Sequence, residues 1–564
     1  MKKGLLILST IFIFFITKSQ TKTILVDYNV VSGSGKNMTG VNTGPNSVVA
    51  GTTKNCLNQI GNRIIRTHDY HGPCDYWSYT NFFNYFTQTF NYAFQSHLPS
   101  GYNWTMTDAQ IDEIVNSGFE PYFRVGISFP GGGVSPASPM PKDVDGVNFH
   151  TFAGIAKRTA MHYTGGWDSG YNYQIPYWEI WNEPNNQASW TVDSAMAYYR
   201  MYKQCADSLK SFNPQLKVGG PAAAKNSFYN GGIHFTINPK YVTDFLSYCQ
   251  TNTAPLDFYS FHMYDRPNPY NLRILTDTLS NYLNQYGFSN TELIVSETNI
   301  NTPGYDNTAK GCSYLASELI SVANTRLSKL IWYRGVDLNP LCYSDSGTNS
   351  HLTLNGYAYQ FFNALNDTTP VYIQSPGSEF NATNVNDSLN NLMILSGKNS
   401  AGTIVKVLVS NHESIYNNLQ LSLQNLPWSN TDNISIRTES VTSAGYQTST
   451  SSQAGNSTMT LNLSNVADAS VYLITFRKNV PNAMEQLISS DKHDVYPNPA
   501  DQKVYLRTGD KHFTLTLINV YGQILFVQKD NPEMDISHVP DGVYALMILN
   551  ENGTVEKHKI VVSK

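Results

Sequence analysis

The sequence predicts a (β/α)8 TIM barrel followed by a β-sandwich and a small C-terminal all-β domain. Three observations carry this. From about residue 38 to 366, short apolar strands alternate with helical stretches. From about 371 to 477, strands of period two are separated by Asn, Ser, Thr and Gly, with no helix of useful length. A third β-patterned unit then follows a polar stretch. At 564 residues the chain is too long for one domain. The division read from the pattern is 21–370 for the barrel (its first strand may join the sandwich), 371–477 for the sandwich, 478–492 for a linker and 493–564 for the last unit.

Before the barrel, Lys2 and Lys3 precede an apolar run from Leu5 to Ile16, and Ser19-Gln20 follow. Charged, then apolar, then small is the order of a signal peptide, read over residues 1–20. The run is too short for a comfortable membrane span, and no later stretch qualifies. Charged residues are 14% and the net charge is −5, without a basic stripe, which argues against a nucleic-acid partner. Aromatics reach 13%, with 37 Tyr. With abundant amide and hydroxyl side chains they suit neutral, hydroxyl-rich ligands. The six cysteines are Cys56, Cys74, Cys205, Cys249, Cys312 and Cys342. In an exported chain an even count permits disulfides, and neighbour pairing (56–74, 205–249, 312–342) is the simplest expectation.

The barrel strands are read at Thr39–Asn42, Arg63–Thr67, Pro121–Ile127, Tyr177–Trp181, Lys217–Gly220, Phe258–His262, Leu293–Ser296 and Lys329–Tyr333. Helices are read at Asp108–Asn116, Phe149–Tyr163, Asp193–Phe212, Tyr241–Gln250, Leu272–Tyr286, Ala309–Asn324 and Tyr357–Leu365. A doubly wound open sheet is the competing arrangement, but no glycine-rich phosphate loop opens the first unit. Gly131-Gly132-Gly133 precedes a Pro-rich loop and reads as a flexible segment near the mouth. Behind the barrel, Val405–Val409, Leu421–Leu423, Ile434–Ile436 and Val471–Ile474 read as sandwich strands, and 440–458 as an exposed Ser/Thr-rich loop.

Two strand ends carry the chemistry. Tyr177-Trp178-Glu179-Ile180-Trp181-Asn182-Glu183-Pro184 is an apolar strand that Pro184 stops, so Glu183 stands at its C-terminal end. Leu293-Ile294-Val295-Ser296-Glu297 does the same three strands later. In a parallel barrel that end is the catalytic face. Glycoside hydrolysis with retention needs two carboxyl groups about 5–5.5 Å apart, one protonated for the leaving oxygen and one ionised to attack the anomeric carbon. Glu183 and Glu297 are the candidates.

Asn-Glu on strand four with Glu on strand seven resembles glycoside hydrolase clan A. Arg66-Thr67-His68, Trp178 to Asn185, Lys217-Val218-Gly219-Gly220-Pro221-Ala222, Phe258 to Tyr264 and Ser296-Glu297 narrow the resemblance to family 39, which contains β-xylosidases and α-L-iduronidases. The resemblance implies Glu183 as acid/base and Glu297 as nucleophile. It implies Asn182 as a contact to the hydroxyl beside the anomeric carbon, His262 and Tyr264 beside the pair, and Arg66 holding nearby carboxylates. His68 would contact sugar hydroxyls, and Trp332 would form the floor under the sugar. In the last unit, Tyr496-Pro497-Asn498-Pro499, Tyr521-Gly522 and Pro540-Asp541-Gly542-Val543-Tyr544 resemble the C-terminal sorting domain of the type IX secretion system. That implies a partner in the secretion machinery and a secreted or cell-surface location.

One loop departs from the family pattern. His68-Asp69-Tyr70-His71-Gly72-Pro73-Cys74-Asp75 carries a His-x2-His-x2-Cys spacing also seen in metal sites. It reads here as loop residues beside a sugar site, with no metal or cofactor expected. Arg124, Arg266 and Arg334 lie at strand ends, where cations would select a uronic or sulfated sugar, or form salt bridges. The reading is a retaining hydrolase of plant or algal polysaccharides or oligosaccharides, β-xylosidase-like. An endo-acting clan A glycanase, a glycosidase specific for a uronic or sulfated sugar, and a non-catalytic carbohydrate-binding surface protein are the alternatives.

Overall fold

Eight parallel strands close on themselves in chain order: Thr39–Asn42, Ile64–Arg66, Glu120–Val125, Tyr177–Ile180, Lys217–Ala223, Phe258–Tyr264, Glu292–Asn299 and Leu327–Trp332. The eighth returns to the first, with Leu330 opposite Thr39 and Trp332 opposite Val41. These are the strands the apolar runs predict, with ends moved by a few residues. The computed structural model describes residues 20–47, 51–68, 73–84, 89–91, 93–127, 147–186, 190, 195–230, 234–264, 268–300, 302–335, 338–345, 349–375, 392–464, 466, 468–479, 494–508, 510–519, 524–550 and 555–564. The leader residues 1–19, Gly131–Gly133, His71, Arg266, Tyr521-Gly522 and most of the linker lie outside these.

Helices Thr105–Asn116, Val147–Gly165, Ala195–Phe212, Thr243–Thr251, Asn271–Gln285, Ala309–Val322 and Leu354–Thr368 surround the barrel. Lys54–Gln59 and Tyr76–Tyr79 are helices too. They are too short to show a period in sequence. Alternation along the strands divides the core. Ile64, Tyr122, Tyr177, Phe258, Ile294 and Ile331 form a separate cluster that plugs the inside of the barrel. The residues between them, such as Ile65, Phe123 and Trp178, pack outward in the large helix-facing core.

The second sheet has nine strands in the order 445–454, 433–442, 470–479, 404–411, 392–398, 371–374, 21–34, 418–424 and 459–464. Ile434 and Ile474 near one end share a core with Leu421 and Met459 near the other. Strands that are not neighbours in the ladder meet face to face, so the sheet folds over itself as a sandwich. Thr21–Ser34, for which the sequence reading left the sandwich open, is a strand in this sheet, parallel to 418–424 and antiparallel to 371–374. One feature differs from the sequence reading. Gly445–Ala454, read as loop, is an edge strand paired with 433–442. From Gln447 to Gln453 its side chains are exposed and polar on both faces, which leaves no hydrophobic alternation to recognise.

The cysteine pairing also differs. Cys56 bonds to Cys342 across 286 residues, and Cys74, Cys205, Cys249 and Cys312 are free and buried. Neighbour pairing fails because barrel closure brings the first βα segment beside the segment after strand eight. Asn479 to Lys564 forms a second compact unit of a three-stranded and a four-stranded sheet around Val504, Leu515, Leu517, Leu546, Ile548 and Ile560. Among the described residues, no helix is long and apolar enough to cross a membrane.

Candidate active site

The end of strand four is shaped by its backbone. Trp181 and Glu183 have φ of 75° and 46°, and Ala222 at the end of strand five has φ of 52°. These left-handed conformations are uncommon for side-chain-bearing residues and cost about 1–3 kcal/mol each, so surrounding contacts must hold them. The contacts are present. The Glu183 amide donates to Ala222 O (3.1 Å), and the Tyr241 hydroxyl donates to Pro184 O (2.7 Å). The Asn185 amide donates to Ser227 Oγ (2.8 Å) and Ala224 O (3.1 Å), and accepts from the Ala224 amide (2.8 Å).

Strand seven reaches the same mouth through an irregularity. Phe261 of strand six pairs with Val295, but His262 pairs with Glu297, so Ser296 is skipped. Such a bulge re-aims a side chain. Four groups then surround the Glu297 carboxylate. Arg66 Nη1 donates to Oε1 at 2.7 Å, and His68 Nε2 lies 3.2 Å from the same oxygen. The Tyr264 hydroxyl donates to Oε2 at 2.5 Å, and His262 Nδ1 lies 3.4 Å from it. His262 Nδ1 is closer to Glu183 Oε1, at 2.7 Å, and the Asn186 amide donates to Glu183 Oε2 at 2.9 Å.

Arg66 is the centre beneath the pair. It is fully buried, and it bonds to Glu179 through Nε (2.7 Å), to Asn42 Oδ1 through Nη1 (3.0 Å) and to Asn182 Oδ1 through Nη2 (2.8 Å). Because Asn182 accepts from Arg66 with its oxygen, its amide N–H groups are left for a ligand. Tyr122 donates its hydroxyl to Glu179 Oε1 at 3.0 Å.

Charge states follow from these contacts. Burial alone would raise Glu183, but the hydrogen bonds from His262 and Asn186 outweigh it and hold the carboxyl below its usual range. Burial likewise opposes the ionised form of Glu179, and Arg66 overcomes it. Burial and the cations of Arg66 and Arg124 push His68 well below the usual histidine value, so it is neutral. Burial and the neighbouring Glu297 push Tyr264 well up, so it stays a donor.

The structure therefore brings Arg66, His68, Asn182, Glu183, His262, Tyr264 and Glu297 together. It does not bring Trp332 to the mouth. Trp332 has no exposed surface, and its indole N–H donates to Asn339 O at 3.0 Å. The partly exposed ring at this strand end is Tyr333, centred 5.8 Å from Tyr264 and 6.2 Å from His68. Arg124 is buried and pairs with Asp75 at 2.7 Å, so its cation is occupied. The Arg334 guanidinium lies 5.7 Å from the centre of the Tyr333 ring. Asn42, Tyr122, Glu179 and Asn186 were missed by sequence reasoning. The usable signal was Glu179 itself: a charge inside an apolar barrel strand requires a buried partner.

One ligand atom each from Glu183, His262 and Glu297 lie within 4.8 Å of one another, which is also close enough for a shared cation. Arg66 already places a positive charge on Glu297, which disfavours a metal there.

A closed barrel that sets a carboxyl group from strand four against one from strand seven at its C-terminal mouth places this protein among the clan A glycosidases. It belongs to glycosyl hydrolases family 39, whose sequence profile matches residues 88–426. Residues 494–563 match the profile of a secretion system C-terminal sorting domain. A β-xylosidase from Geobacillus stearothermophilus is 35% identical over 92 residues, 16% of each chain. The chain thus aligns with about a sixth of the length of that relative. Among solved structures, a glucosidase from Croceicoccus marinus superposes with a TM-score of 0.65 at 18% identity, covering 82% of this chain and all of that one. A monomeric β-xylosidase from Caulobacter crescentus gives 0.57 at 14% identity, covering 81% of this chain and all of that one. At these identities the superpositions speak for the fold alone.

Proposed function

We propose that the protein is an exported retaining glycoside hydrolase that cleaves plant or algal polysaccharides or their oligosaccharides, with β-xylosidase-like activity. The observation that supports retention is that one carboxylate oxygen of Glu183 and one of Glu297 lie within 4.8 Å of each other. Such closeness suits the ~5–5.5 Å carboxyl separation of retaining enzymes better than the ~6.5–9.5 Å at which inverting enzymes hold a water between their carboxyls.

In the first step Glu297 attacks the anomeric carbon while the bond to the leaving oxygen breaks. Glu183 delivers its proton to that oxygen. A covalent glycosyl–Glu297 ester results. In the second step Glu183, now a carboxylate, takes a proton from water. The water oxygen bonds to the anomeric carbon and the ester bond breaks, returning Glu297 as a carboxylate. Arg66 and Tyr264 favour ionised Glu297 in the free enzyme. Asn182 donates to the hydroxyl beside the anomeric carbon. His68 and Tyr333 line the sugar.

Glu183 needs a high proton affinity at the moment of transfer, whereas in the free enzyme His262 and Asn186 hold it low. A leaving-group oxygen that takes Oε1 as its partner displaces His262, and burial then favours the protonated acid. Export follows from the sorting domain, through type IX secretion.

The anomer first released from an aryl β-D-xyloside, followed by NMR, tests the mechanism. Net inversion overturns it. Full activity in either Glu183→Gln or Glu297→Gln overturns the assignment of that residue.

A further inference from the structure

We propose that Glu179 is a positioning residue for the reaction: as the buried counter-charge of Arg66, it sets how much of that guanidinium's charge reaches Glu297. This rests on Glu297 being the nucleophile.

The geometry is a chain of four groups running through the inside of the barrel. The Tyr122 hydroxyl of strand three donates to Glu179 Oε1 at 3.0 Å. Glu179 Oε2 of strand four takes both Nε and Nη2 of Arg66, at 2.7 and 2.6 Å. Arg66 of strand two then gives Nη1 to Glu297 Oε1 at 2.7 Å. Nη2 goes on to Asn182 Oδ1 at 2.8 Å. Glu179 and Arg66 have no exposed surface, so water cannot screen them.

Two consequences follow. First, the guanidinium is a rigid planar fork, so gripping its Nε edge fixes where the opposite edge points. Glu179 therefore aims Arg66 at Glu297 and Asn182 together. Second, one cation serves two carboxylates. Without Glu179, the whole charge would fall on Glu297, binding its lone pairs more tightly and making it a weaker nucleophile. Glu179 touches no substrate; it acts through Arg66.

The charged and titratable groups around the pair are few among the described residues. Glu179 faces Arg66 and Tyr122, a Ser260 hydroxyl from strand six and, further off, His262. Glu297 faces Arg66, His68, His262 and Tyr264, and the Glu183 carboxylate with one oxygen within 4.8 Å.

The test is the pH dependence of kcat/KM for Glu179→Gln and Tyr122→Phe in the full-length chain, on the aryl glycoside it cleaves fastest. Glu179→Gln keeps the shape and removes the charge. The acidic limb, which follows ionisation of the nucleophile, is expected to move down by roughly half to one pH unit, with kcat falling more than KM changes. Tyr122→Phe removes a donor from Glu179, leaving more of its charge for Arg66, so the limb is expected to move up. A merely structural role predicts otherwise: a misaligned Arg66 withdraws its cation from Glu297, and both variants move the limb up. An unmoved or raised limb in Glu179→Gln overturns the proposal. If that variant does not fold, an unmoved or lowered limb in Tyr122→Phe overturns it. Failure of the nucleophile assignment is seen separately, as activity retained in Glu297→Gln.

Discussion

His262 Nδ1 lies 2.7 Å from Glu183 Oε1, a hydrogen bond between the ends of strands six and four. This bond, with that from Asn186, holds Glu183 low against the effect of burial. In His262→Ala the donor is gone and burial prevails, so Glu183 should keep its proton to higher pH. The basic limb of kcat/KM should move up, while the maximum rate falls about tenfold or more as the pair loses its alignment. A pH–rate profile on an aryl glycoside reads both; a basic limb that moves down would contradict the arrangement.

Acid should weaken the fold through Glu179. Its folded-state proton affinity is depressed by Arg66, so its stabilising contribution is present above the unfolded carboxylate value and is lost as pH falls through the lower folded value. Thermal denaturation should show Tm falling below about pH 4 in the parent. In Glu179→Gln this acid dependence should be shallower and the neutral-pH stability lower by about 3 kcal/mol, because Arg66 loses one of its two buried charge partners and keeps only Glu297.

Thiol counting checks the covalent link. Denatured without reductant, the protein should expose four thiols, and with reductant six. Native protein should react slowly, since the four free cysteines are buried. Cys56→Ser with Cys342→Ser should lower stability by about 2–5 kcal/mol, as expected for releasing a long loop.

Gly219 on strand five has no room for a side chain. A Cβ there would lie 2.2 Å from the Phe258 carbonyl oxygen and 2.4 Å from its ring. Backbone in a closed barrel cannot withdraw, so Gly219→Ala should destabilise by about 3 kcal/mol, measurable by urea unfolding.

A chain ending at Lys478 should keep its Tm and kcat/KM, because residues 479–564 form their own unit and core. Export in cells should be lost.

The barrel was legible because each strand is a short apolar run and each helix a longer periodic one. The pair Glu183 and Glu297 was legible because both end such runs. The layer below was not. Asn42 and Tyr122 are ordinary strand residues until folding places them around Glu179 and Arg66, and no spacing in the chain encodes that meeting. Trp332 illustrates the converse: an aromatic at a strand end can face inward to the core as easily as outward to a ligand, and here Asn339 claims it. The Cys56–Cys342 bond and the strand at 21–34 share one cause, contact between segments hundreds of residues apart. Local pattern left the strand's sheet open and does not name the partner segment in either case.

Strand Thr21–Ser34 has a consequence for how this protein can be taken apart. It sits inside the second sheet, bonded on one side to 371–374 and on the other to 418–424. The Ser410 hydroxyl and His412 Nδ1 of that sheet also reach Ser313 on a barrel helix. The barrel is therefore an insertion held between the first strand of another fold and its remaining eight, like a stone in a ring setting. An excised segment 38–370 leaves the ring broken and the stone unmounted, so the enzyme cannot be shuffled by cutting before residue 371, however clearly the sequence changes character there.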